Sequence, residues 1–110
     1  MRSYGRNLMK AKSIVVLKDA VDDLKAGRTF YNRMEPGIGD YFWDSLIADI
    51  ESLVIYAGVH TKRYGFYRMF SKRFPYAIYY ELKDDIAFVA AILPMRRDPD
   101  WAKKGLERRS

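Results

Sequence analysis

The residues of this sequence best equipped for chemistry are arginines. Arg96 and Arg97 stand side by side just after the apolar run IAFVAAIL, and Asp98 and Pro99 follow them. Arg63, Arg68, Lys72 and Arg73 lie earlier in the same half, interleaved with Tyr64, Tyr67, Tyr76, Tyr79 and Tyr80, and Trp101 lies beyond. A guanidinium presents a rigid fork of donors that grips a phosphate or a carboxylate through two parallel hydrogen bonds. Aromatic rings beside it can stack on bases. Sheet packing is the simpler reading of Tyr76, Tyr79 and Tyr80. The Arg96 and Arg97 pair is different, because Asp98 sits beside it and Pro99 stiffens the exit. The set points to a polyanionic or acidic partner.

Other chemistries are poorly represented. The chain has no cysteine, so disulfides and thiolate metal sites are excluded. Its one histidine, His60, falls in a predicted loop and reads as an incidental polar residue. There is no P-loop, no GxSxG and no HExxH. Asp19, Asp22, Asp23, Asp40 and Asp44 fall at predicted helix starts. Capping and the helix dipole account for them better than metal binding does. No metal and no cofactor is expected.

Charge is unevenly placed along the 110 residues, whose net charge is +6. Residues 1–18 carry +5, residues 19–61 carry −5 and residues 62–110 carry +6. An electropositive surface therefore lies beside an acidic one. With 49% apolar residues the chain can fold, and its length suits a single domain over 1–110. No apolar run reaches the ~20 residues needed to span a bilayer, so no membrane association is expected. The basic start, residues 1–12, lacks the apolar core of a signal peptide and reads as a frayed end. A cytoplasmic location is expected.

The elements that position the basic residues follow from periodicity. SIVVLK (Ser13–Lys18) reads as a strand. A helix follows, capped by Asp19, with Ala20, Val21, Leu24, Tyr31 and Met34 on one face and an end near Glu35, before Pro36. Gly27 weakens its middle by up to ~1 kcal/mol relative to Ala. Asp40 caps a second helix running to Gly58, with Trp43, Leu46, Ile47, Ile50, Leu53, Val54 and Ala57 inward. The short PGIG link makes the two an antiparallel hairpin. Strands are predicted over Phe66–Lys72, Tyr76–Lys83 and Ile86–Leu93, with Asp84-Asp85 as a two-residue turn. The last strand is apolar on both faces, which places it in the sheet centre. The basic tail, residues 98–110, has room for a short helix. The expected fold is α+β, in the order β-α-α-β-β-β, with a helical hairpin on a small, mostly antiparallel sheet.

That order resembles the RelE/ParE superfamily of bacterial type II toxins, also called plasmid stabilization proteins. The resemblance rests on IVVLKDAVDDL, AGRTFYNRMEPGIGDYFWDSL, KRFPYAIYYEL and a last core strand ending in RRDP. It implies a small cytosolic toxin neutralised by a cognate antitoxin, whose acidic tail would suit the basic surface. RelE-like members cleave mRNA on the ribosome without metal, using basic residues on the sheet. ParE-like members inhibit DNA gyrase by binding it. Where the nucleases carry two basic residues on one strand, this chain has Arg68 and Phe70. Where they carry an arginine on the next strand, it has Ala77. Metal-free phosphodiester cleavage needs charge stabilisation and an acid or base. The pattern is therefore closer to ParE, and whether the chain is an enzyme is left open. The runner-up is a ribosome-dependent endoribonuclease using Arg68, Arg73, Arg96 and Arg97. A third reading is a family member without toxicity or with an unrelated target. The resemblance implies that Arg63, Arg68, Lys72, Arg73, Arg96, Arg97 and Trp101 contact the antitoxin or target. A homodimer, or a hetero-oligomer with the antitoxin, is left open.

Overall fold

The computed structural model describes residues 11–95 and 99–109. Strand β1 (Ser13–Val16) leads into helix α1 (Lys18–Met34), then α2 (Ile38–Glu51) and a single helical turn, α3 (Leu53–Tyr56). Strands β2 (Lys62–Arg63), β3 (Phe66–Phe70), β4 (Tyr76–Lys83) and β5 (Ile86–Pro94) follow, and α4 (Pro99–Arg109) closes the chain. The sheet order is β1-β5-β4-β3-β2, with β1 parallel to β5 and the other pairs antiparallel. The fold is the expected α+β arrangement, with β2 added at the sheet edge. No helix among the described residues is long and apolar enough to cross a membrane.

Strand β5 lies between β1 and β4 and is covered on both sides. Ala87, Val89 and Ile92 face α1–α3 together with Ile78, Tyr80 and Met69. Ala91 and Leu93 face the other way, with Phe66, Ala77, Tyr79 and Leu106 of α4. The alternation slips because Tyr79 pairs with Ala91 but Tyr80 pairs with Val89, so Ala90 is an extra residue, a β-bulge. Asp84 and Asp85 both take positive φ (53° and 63°), as a type I′ hairpin turn requires.

Several helix expectations change. The N-cap of α1 is Leu17, without a side-chain cap, and Asp19 lies in the first turn. Met34 is exposed, and the buried stripe is Ala20, Leu24 and Gly27, with Tyr31 partly buried beyond it. Asp40 does not cap α2. It pairs with Arg28, while Asn32 of α1 caps α2 from the neighbouring helix: its Oδ1 accepts the N–H groups of Gly37 (3.1 Å) and Gly39 (2.8 Å). The second helix breaks at Ser52, whose hydroxyl donates to the Asp49 carbonyl, three residues back. The break turns Val54 outward, and the buried positions are Phe42, Leu46, Ile50, Leu53 and Ala57. Strand β3 ends at Phe70 because Ser71 turns away to donate to the buried Asp49 carboxylate. Ala11 is buried and the Lys12 N–H donates to the Asp85 carbonyl, so 11 and 12 are fixed; residues 1–10 lie outside the described residues.

Candidate functional site

The sheet face opposite the helical hairpin carries a cleft of about 260 Å³. Its position follows from the register. Arg68 of β3 lies opposite Tyr79 of β4, which lies opposite Ala91 of β5. One row on, Phe70 lies opposite Ala77, and Ala77 opposite Leu93. Ala77 puts a methyl group between two large side chains, which leaves a notch. Tyr79, 4% exposed, and Leu93, 5% exposed, form the floor. Met95 and Ala102 of α4 close one side.

The β2–β3 hairpin supplies the cationic rim. Tyr64 and Gly65 form its turn with φ of 57° and 86°. Glycine adopts that conformation freely, but for a residue as bulky as tyrosine it is uncommon and strained. The Arg63 guanidinium lies 5.0 Å from the centre of the Tyr64 ring, and that of Arg68 lies 4.8 Å from the Phe70 ring. Both are within the range of a cation–π contact. Among the described residues no carboxylate pairs with Arg63 or Arg68. By contrast, Arg28 is paired with Asp40 and Arg109 with Asp23.

The predicted site residues are thus partly gathered. Arg63 and Arg68 line the cleft. Lys72 and Arg73 do not: the Lys72 N–H is held by Asp49, so their loop turns toward α2. Trp101 lines a second groove of about 330 Å³, with Asp23, Phe30 and Ile92. Arg96 and Arg97 lie outside the described residues, between Met95 on the cleft and the start of α4. Tyr76 and Tyr80 are buried on the helical side, and Tyr79 alone of that trio reaches the cleft. Among the described residues, no group of histidine and carboxylates is placed to hold a metal ion.

His60 is less incidental than its loop position suggests. The Tyr80 hydroxyl, on the helical side of the sheet, accepts the Gly58 N–H at 2.9 Å and meets Nδ1 of His60 at 2.5 Å. In the neutral ring with its proton on Nε2, Nδ1 accepts the hydroxyl proton. Burial lowers the pKa of His60 from its ordinary value and raises that of Tyr80. The unfolded chain therefore binds the His60 proton more readily than the folded one. Stability should be full above about pH 6.5 and fall as pH drops through that value toward the folded pKa. Melting curves from pH 7 to pH 5 should show a larger loss for the natural chain than for His60→Gln, and equal slopes would refute the assignment.

Comparison with known proteins bears on the fold. No family model and no curated protein matches the sequence. A solved chain described as the chromosomal ParDE TA system from P. aeruginosa matches with a TM-score of 0.69 and 15% identity, covering 80% of this chain and 98% of its own. The chain therefore has the α+β fold of a ParE-like toxin.

Proposed function

We propose that this chain is a single-domain toxin of a bacterial type II toxin–antitoxin pair, that it acts in the cytoplasm by binding DNA gyrase, and that a cognate antitoxin neutralises it. The observation that carries this reading is the fold likeness to a chain from a ParDE system. The cleft supports binding over cleavage. Its described lining holds two arginines and two tyrosines amid apolar side chains, and no imidazole or carboxylate to move a proton. Arg63 and Arg68 are the proposed contacts within the cleft, and Arg96 and Arg97, which follow Met95 in the sequence, are proposed contacts as well. Lys72, Arg73 and Trp101 would be reached only by a partner that extends beyond the cleft.

The test is brief induction of the chain in bacteria, with pulse labelling of DNA and protein synthesis. DNA synthesis should fall first. Early loss of protein synthesis with cut mRNA would replace this reading with the ribosome-dependent nuclease. Normal growth with soluble chain would leave a toxin-like fold without toxicity.

A further inference from the structure

We infer that the outward side of α3 and of the loop after it, formed by Val54, Ile55, Tyr56 and Val59, is the contact between two copies of this chain packed about a two-fold axis. The inference goes beyond the toxin reading and does not depend on it. The face belongs to the helical side of the sheet, where Leu53 and Ala57 join the core, and not to the cleft.

Neither the core nor helix propensity explains these residues. Leu53 and Ala57 are fully buried, and the three residues between them point to solvent. Such positions on a surface helix are ordinarily polar. Here Val54, Ile55 and Tyr56, joined by Val59, are between 47% and 57% exposed, and no other stretch of the described residues exposes three consecutive large apolar side chains. Valine and isoleucine are also weak helix formers, so they add nothing to the turn they stand in. Exposed apolar side chains gathered in one place mark a contact with another molecule. The face is also held firmly. At one end the Ser52 hydroxyl donates to the Asp49 carbonyl, and at the other the Tyr80 hydroxyl accepts the Gly58 N–H at 2.9 Å and bonds His60. A face fixed in advance loses little freedom on docking.

Charge selects a second copy as the occupant. A net charge of +6 makes two copies repel, and the segment lies in the stretch 19–61 that carries the acidic excess, where the repulsion is least. The rim is complementary to itself. Glu51 precedes the apolar residues and Lys62 follows them; both are exposed, and neither forms an ion pair among the described residues. A two-fold axis near Ile55 reverses the segment and sets Glu51 of each copy against Lys62 of the other. A uniformly basic rim would favour an acidic partner, and a uniformly acidic rim a basic one. Two such faces with their rims bury on the order of 1,000 Å² in all, the small end for protein contacts, which suits a weak dimer with Kd on the order of 10–100 µM.

The test is sedimentation velocity of the full chain from about 1 to about 500 µM, across which monomer should give way to dimer. Ile55→Asp should raise Kd at least about tenfold while moving Tm by no more than about 3 °C. Met34→Lys alters a more exposed side chain at the far end of the hairpin and should leave Kd unchanged. Glu51→Lys and Lys62→Glu should each weaken self-association about five- to tenfold, because each breaks two symmetric pairs. An equal mixture of those two variants should dimerise about as tightly as the natural chain, since lysine then faces glutamate across both pairs. Loss of folding cannot give that recovery, so the mixture carries the test if Ile55→Asp fails to fold. Monomer throughout the range would overturn the inference and leave the face to a different protein. A dimer indifferent to Ile55→Asp, or a mixture no tighter than its two components, would put the contact elsewhere and overturn it as well.

Discussion

Gly39→Ala should destabilise the fold by about 3–5 kcal/mol, although alanine is the better helix former by about 1 kcal/mol. A Cβ at Gly39 would lie 2.2 Å from the Arg28 carbonyl oxygen and 2.4 Å from Cγ of Asn32. The carbonyl belongs to the backbone of α1 and cannot swing aside, so the helices must part. Parting them also pulls Asn32 from the N–H groups of Gly37 and Gly39, which lose their partner. Gly27→Ala is the matched comparison. Its Cβ would lie 2.5 Å from the ring edge of Phe42, a fully buried side chain hemmed in by the Tyr31, Phe74 and Tyr76 rings. A ring can shift a little where a backbone cannot, so the loss should be smaller, about 1–3 kcal/mol. Thermal unfolding reads both: for Gly39→Ala a drop on the order of 15 °C is expected. A gain in stability for either variant would mean that helix propensity decides at these positions and that the close crossing of α1 and α2 is wrong.

The two glycines show where sequence reading succeeds and where it stops. Elements came through because their signals are local. The strand Tyr76–Lys83 is bounded by Pro75 and by the Asp84-Asp85 turn, and its predicted limits match. The unbroken apolar run of β5 announced a strand covered on both sides, and it is. Caps and pairs were lost because their partners lie far away in sequence. Asn32 caps a helix other than its own, and Asp23, read as a helix-dipole residue, bonds a strand and the chain's last helix. Gly27 reads as a weak point in isolation and as a close helix contact once Phe42 is beside it. At the candidate site, alternation alone places Arg68 and Phe70 on one face of β3. That this face meets Ala77 and Leu93 depends on the strand register, and β2, only two residues long, has too little pattern to reveal the hairpin that brings Arg63 in.

The second large effect should come from Asp23. Strand β1 ends at Val16, opposite Val89, where the chain turns into α1. Beyond that point no strand among the described residues lies beside the outer edge of β5, and Asp23 and Arg109 bond to it. Asp23 accepts the Ile92 N–H at 2.9 Å, and Arg109 donates to the Ala90 carbonyl at 3.2 Å. The two side chains also form a bidentate pair, at 2.5 and 3.0 Å, and are only 16% and 21% exposed. Burial of that degree makes removal of one partner far costlier than for a surface pair. Asp23→Ala strands both the Ile92 N–H and the Arg109 guanidinium, and should cost about 3–4 kcal/mol. Arg109→Met keeps Asp23 bonded to Ile92 and should cost only about 1–2 kcal/mol. The double variant should lose about 1–2 kcal/mol less than the two single losses added together, because the charge stranded by Asp23→Ala is then gone. Denaturant titrations measure all three. Because Arg109 ends the helix whose Leu106 covers the outer sheet face, Asp23→Ala should also loosen α4 and shift Trp101 emission to longer wavelength before global unfolding. Strict additivity with unchanged Trp101 emission would mean that α4 is held by Leu106 and Ala102 alone, and that the Asp23–Arg109 pair merely decorates the junction.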